Sequence, residues 1–433
     1  MDTLLMLGIL AEITLLAYIA RNSTAGLKFL LYILCGYWFI SFFLRPLIFI
    51  YSRKLNINSA IYDSRIGQSE SNFMNIMFSI LLGCLVFSIP LLLQLKFSRN
   101  SHLAWKKFAN PQEFSWLLIF GTSSGVLSAI IEQTSLKNAI SKSLVSLVPF
   151  CFCAFLWTRK SLCLSKAKQI YLFSTSSISI VLLATTSGQF KGILLTPLLV
   201  YFSRLPIWEK NRSKLHRILL VFFGILLLIP LFTVLQTRKL GGASISQFNS
   251  YSESMPWFLS PFLAICVRFD QFPRVADAYF AGPGALGGWF DWLKRILVYL
   301  QWNPVSGRDS ISFGQEWNQM VRNQSIPGAR FSKVSLAQGM IGEGLIWAGT
   351  LSLIIECLVL SVVFIWVGRA LEREGLSVIF AFAIVDNGTL FEAGTVKFSG
   401  SLSNSAKIVL FLWLSLSMRN ASRNQSRSNV PSG

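Results

Sequence analysis

Arg45, Lys191, Glu343, Glu356 and Lys397 stand in or beside apolar runs, where a charge is costly and usually serves a function. Arg268 and Arg274 stand in the long connection over 237–344. Arg45-Pro46 falls six residues before the end of its run. At about 1.5 Å per residue, that places Arg45 roughly 9 Å below the boundary. It can reach an outer cavity, snorkel, or pair with a carboxylate such as Glu12. Lys191 stands in Thr186-Ser187-Gly188-Gln189-Phe190-Lys191-Gly192. Gly and Ser permit close backbone approach, so this is either an anion cradle or an ordinary polar turn. Lys397, within Gly394-Thr395-Val396-Lys397-Phe398, carries the same two readings. Glu343 opens an apolar run, where it can accept a proton or sit in a first helical turn favoured by the dipole. Glu356, further along, is expected to pair with a basic residue such as Lys407. Asp386, Glu392 and Glu316 are weaker candidates.

What positions these charges is a membrane-spanning scaffold. The chain has 433 residues, 53% apolar and only 13% charged, yet Lys and Arg outnumber Asp and Glu by 39 to 19. A soluble nucleic-acid binder spreads its basic residues over a polar surface. Here they fall between long apolar runs, which excludes a soluble globule, a disordered chain and a disulfide scaffold. The fold class expected is all-α: a polytopic transmembrane bundle of about 11 spans. The candidate spans are 3–20, 29–51, 73–95, 114–131, 143–157, 169–187, 192–203, 218–236, 345–367, 375–393 and 401–417. Pro46, Pro90, Pro197 and Pro230 predict kinks within spans. The first stretch carries Asp2 and no basic residue ahead of its apolar run, so it reads as a retained span.

Basic residues then set the orientation. Connections after spans 1, 3, 5, 7, 9 and 11 hold 20 Lys and Arg; the short ones after spans 2, 4, 6 and 10 hold 7. By the positive-inside rule the first set is cytoplasmic. The N-terminus is therefore expected outside and the C-terminus in the cytoplasm. The chain divides into spans over 1–236, a large outward loop over 237–344, further spans over 345–417 and a polar tail over 418–433. Arg45, Lys191, Arg268, Arg274 and Lys397 all fall on the outer side. Several fixed cations at one membrane face suit a lipid-linked pyrophosphate.

The loop is too long for a passive connection. It holds seven Arg against three Lys, and five of the thirteen tryptophans. Arg is the better phosphate ligand because its planar fork makes paired hydrogen bonds. Segment 287–302 places Trp289, Trp292, Leu293, Ile296, Leu297 and Leu300 at helical spacing. It is either an amphipathic helix on the membrane surface or the core helix of a small loop domain. The seven cysteines form no metal or disulfide pattern, and His102 and His216 are far apart, so no metal site is expected.

These features resemble the O-antigen and exopolysaccharide repeat-unit polymerases, the Wzy-type membrane proteins, which share a superfamily with the O-antigen ligases. The resemblance rests on Arg45-Pro46, the Ser187–Gly192 turn, Arg268-Phe269-Asp270-Gln271-Phe272, Tyr279-Phe280-Ala281-Gly282-Pro283, Gly342-Glu343 before Trp347-Ala348-Gly349, and Gly394–Phe398. It covers most of the chain, and its motifs are short and degenerate. It implies an inverting glycosyltransferase of the bacterial inner membrane, with its large loop in the periplasm, that uses no metal or cofactor. The substrates would be undecaprenyl-pyrophosphate-linked oligosaccharides, with membrane lipids and a chain-length regulator as partners and no nucleic acid. The roles it implies are catalytic for Arg268 and Glu343, and pyrophosphate-binding for Arg45, Lys191, Arg274 and Lys397. Related ligases use a histidine in the outer loop; this loop has none, which argues against a ligase of the usual kind. Ligase-type transfer and a flippase for lipid-linked sugars remain the alternatives, although the internal repeats common in transporters are not seen.

Overall fold

A computed structural model describes residues 2–55, 64–67, 69–98, 111–132, 134, 144–159, 164–187, 191–204, 271–300, 317, 339–373, 375–386 and 394–428. Among them the architecture is all-helical, with no β-strand. Seven helices are long and apolar enough to cross a membrane, and three apolar helices are shorter: Leu147–Thr158, Ile193–Ser203 and Leu376–Val385. Together they fall on ten of the eleven candidate stretches. The eighth, 218–236, lies outside the described residues. In lipid a helix satisfies its own backbone polar groups, which is why these apolar runs take this form.

The prolines act in two ways. Helix α1, Asp2–Asn22, is followed by α2, Ala25–Trp38, which widens into a π-helical segment, Phe39–Leu44, directly before Arg45-Pro46. A second π-helical turn, Lys191–Leu195, precedes Thr196-Pro197. Proline has no N–H to donate and its ring crowds the preceding turn, so the ladder opens there. By contrast, helix Glu70–Ser98 passes through Pro90 as one element. The last helix, Thr395–Ser428, runs on past 418 into the polar tail.

The ninth span differs most from expectation. It breaks at Gly349 into Met340–Ala348 and Thr350–Ala370. Gly349 has φ 67° and ψ −136°, a conformation side chains disfavour. The two helices fold back on each other there. Ser352 Oγ binds the Gly344 carbonyl and accepts from Ala348 N at 2.7 Å. One hydroxyl of the second helix thus ties to the last turn of the first, with the Gly349 carbonyl also 3.0 Å away.

Packing sorts the connections into two ends of the bundle. At one end the backbones of Gly26 and Gly368 meet so closely that neither has room for a Cβ. Trp157 Nε1 donates to Leu371 O at 2.7 Å, and Arg204 stacks on Trp157. This end carries the connections after spans 1, 5, 7 and 9. At the other end Arg65 pairs with Asp277, Asn75 Nδ2 donates to Tyr279 Oη at 2.9 Å, and Glu343 meets Val396. This end carries the described residues of the connections after spans 2 and 10 and those of the large loop over 271–300.

Candidate functional site

Helix Met340–Ala348 lies between two charged groupings. On one side are two carboxylates. Glu343 is in its first turn and Glu356 in the helix that follows; both are fully buried, at 0% exposure. The fold-back at Gly349 brings them together across the start of the last helix. Val396 N donates to Glu343 Oε1 at 2.7 Å. Thr395 N donates to Glu356 Oε1, and Thr395 Oγ1 to Glu356 Oε2 at 2.8 Å. The open N–H groups and positive dipole end of a 34-residue helix thus face two carboxylates. Gly394 makes this possible, since a Cβ there would lie 2.6 Å from Glu343 Oε2.

On the other side stands an ion-pair cluster in the loop helix Phe272–Ala281. Asp277, only 1% exposed, takes Arg65 at 2.6 Å on one oxygen and Arg274 at 3.1 Å on the other. Arg65 also lies 5.2 Å from the centre of the Phe280 ring. A guanidinium has five donors, and Asp277 has one oxygen for each arginine. The cluster therefore presents two planar cations oriented by one buried anion. It is joined to the hairpin: a Cβ on Gly342 would lie 3.1 Å from the Arg274 carbonyl, and Gly284 N donates to Ile346 O at 2.7 Å.

Helix Trp289–Leu300 combines features of both expectations for segment 287–302. Its Trp292 is buried and donates from Nε1 to Thr395 Oγ1 at 2.9 Å. Its Tyr299 packs over Gly400 of the last helix. Phe290, Leu293 and Leu297 on the other side are exposed, Phe290 at 88%. A docked helix with an outward apolar stripe is suited to lying in the membrane interface.

The expected site residues are therefore placed as follows. Glu343 and Arg274 flank the same short helix. Arg45 directly follows a π-helical segment and is buried, at 4% exposure. Lys191 opens the second π-helical turn. Lys397 falls in the first turn of the last helix, not in a connection. Glu356 is bound by Thr395, and Glu12 accepts a hydrogen bond from Ser88 at 3.2 Å. Arg268, Glu316, Glu392 and the Gly188–Phe190 part of the cradle lie outside the described residues. Sequence reasoning gave no role to Asp277 or Arg65, and named Trp292 and Thr395 only as members of longer segments. Asp277 stands in a loop segment with ordinary spacing, and its partner Arg65 is 212 positions away. Comparison with family models, with curated proteins and with solved structures found no match.

Proposed function

We propose that this multi-pass membrane protein is an inverting, metal-independent glycosyltransferase. It polymerises undecaprenyl-pyrophosphate-linked repeat units into O-antigen or exopolysaccharide at the outer face of the bacterial inner membrane. The observation that supports this most is the Arg65–Asp277–Arg274 cluster, packed on the helix that carries Glu343. Two oriented guanidinium groups at the loop-bearing end suit a pyrophosphate.

In the reaction, the hydroxyl oxygen of the incoming lipid-linked unit attacks the anomeric carbon of the growing chain. The new glycosidic C–O bond forms as the bond to pyrophosphate breaks, with inversion. Undecaprenyl pyrophosphate leaves with the bonding pair, and its charge is met by Arg274 and Arg65, with Arg268, Arg45, Lys191 and Lys397 as further cations. The acceptor proton passes to Glu343 or to a phosphate oxygen. The exposed stripe of Trp289–Leu300 rests at the lipid surface, where both substrates are anchored. A chain-length regulator is the expected protein partner.

The test is reconstitution with the native lipid-linked repeat unit. Purified protein should yield a ladder of longer lipid-linked glycans. Arg268→Ala and Lys191→Ala should greatly reduce the ladder at equal protein level. No ladder with the correct substrate would remove the proposal.

A flippase reading has one observation in its favour. The break at Gly349 and the helix start at Thr395 resemble the discontinuous helices of transporters. Movement of labelled lipid-linked substrate across a vesicle membrane with no bond formed would select it.

A further inference from the structure

A groove of about 660 Å³ opens along α2, between it and the helices carrying Trp157 and Leu199. Its walls are almost wholly apolar, with Tyr32, Gly36 and Leu199 along its length. From Ala25 to Ile40 it spans roughly 22 Å at about 1.5 Å per residue. That exceeds half of a hydrocarbon core of about 30 Å. Tyr32 and Gly36 are exposed, so the groove is open at the side, where lipid surrounds a membrane bundle.

Its polar residues gather at one end. Lys28, Ser203 and Arg204 line that end, and among the described residues no carboxylate lines the groove. The Arg204 guanidinium lies 3.6 Å from the Trp157 ring centre, which fixes its plane at the groove mouth. Its Nε is buried and meets no acceptor among the described residues. Glu372 is nearby, but its Oε1 accepts from Gly26 N at 3.3 Å and caps α2. This end belongs to the set of connections opposite the Glu343 and Asp277 groupings. It also carries Arg21, Arg159, Arg369 and Arg373, at the ends of the helices packed there.

We propose that this groove is a binding site for an anionic phospholipid of the bilayer, with an acyl chain along Tyr32, Gly36 and Leu199 and the phosphate between Lys28 and Arg204. The pairing is chemical. A half-buried Arg whose Nε meets no acceptor among the described residues, beside a Lys, calls for an oxyanion, and a laterally open apolar trough calls for a hydrocarbon chain. Only a lipid with a charged headgroup supplies both. The site is separate from the proposed glycosyl-transfer site and stands or falls independently of it.

The experiment measures thermal unfolding of the purified full-length chain in detergent, with added phosphatidylglycerol, phosphatidylcholine or inorganic phosphate. Ligands that bind the folded state raise its unfolding temperature. Phosphatidylglycerol should raise it in a saturable manner; phosphatidylcholine and inorganic phosphate should not. Gly36→Phe fills the groove, since a Cβ at Gly36 meets nothing within 4 Å. That variant should keep its lipid-free unfolding temperature and lose the phosphatidylglycerol shift. Lys28→Gln with Arg204→Gln should abolish the difference between the two phospholipids. An equal response to both phospholipids in the unmodified chain overturns the proposal. So does a full shift in Gly36→Phe, or a shift reproduced by inorganic phosphate alone. If Gly36→Phe fails to fold, the charge variant decides: an unchanged preference for phosphatidylglycerol removes the site.

Discussion

Glu343 and Glu356, thirteen positions apart, bind successive residues at the start of the last helix: Glu343 takes Val396 N and Glu356 takes Thr395. The pair separates structure from chemistry. Glu356 uses both oxygens as acceptors, so Glu356→Gln loses the charge that strengthens both bonds and sets an NH₂ group against Thr395 Oγ1, which must turn its hydrogen away to accept. The expected cost is about 1–3 kcal/mol of stability. Glu343→Gln keeps an oxygen for Val396 N and should stay within about 1 kcal/mol of the parent. An amide cannot take up a proton, so polymer formation should fall by about a hundredfold or more if Glu343 is the base. Unfolding and ladder assays on both variants check this. A full ladder from Glu343→Gln would leave that residue a helix cap only.

The turn at Gly349 is what brings the pair together. Its φ of 67° with ψ of −136° is strained for any side chain. Gly349→Ala should therefore cost about 1–3 kcal/mol. Ser352→Ala, which removes the hydroxyl that ties Gly344 O and Ala348 N to the second helix, should cost about 1 kcal/mol by a different route. Both changes should shift Glu343 relative to Val396 and lower activity. Thermal unfolding beside the ladder assay reads both. Normal stability in Gly349→Ala would mean the break is not required.

The spans were legible because hydropathy is a property of consecutive residues. The break was not, since the apolar run continues through Ile346-Trp347-Ala348-Gly349-Thr350-Leu351. Only Gly349 followed closely by Ser352 hinted at it. Glu343 was legible as a charge beside an apolar run, but its bond to Val396 depends on packing across 53 positions. Asp277 was not legible for the same reason. The π-helical segments before Pro46 and at Lys191 fell where proline had marked disturbance, although the sequence could not say which way the helix would adjust.

At the Asp277 cluster, charge and geometry can be varied separately. Asp277→Ala leaves two guanidinium groups, each less than 15% exposed, facing one another without the shared anion. Removing one partner of a buried pair typically costs about 3–5 kcal/mol, so poor folding is expected. Arg274→Lys keeps the charge and loses the planar fork. It should fold normally and raise the KM for lipid-linked substrate more than it lowers kcat, because a Lys holds phosphate as a point charge only. Unchanged kinetics in Arg274→Lys would remove the cluster from substrate binding.

Thr395 Oγ1 links the loop helix to the carboxylates, accepting from Trp292 and donating to Glu356. The two ends of this relay should not be equally costly to break. Trp292→Phe removes one donor and keeps most of the buried ring; Thr395 still has Glu356, so about 1 kcal/mol should be lost. Thr395→Val removes the hydroxyl from both partners at once. It leaves the buried indole N–H without its acceptor and one Glu356 oxygen without its donor, and about 2–4 kcal/mol is expected. The double variant should cost little more than Thr395→Val alone, since the Trp292 bond is already gone. Thermal unfolding of the three variants forms a double-mutant cycle. Full additivity would show that Trp292 and Thr395 are not coupled, and that helix Trp289–Leu300 docks through its apolar contacts alone.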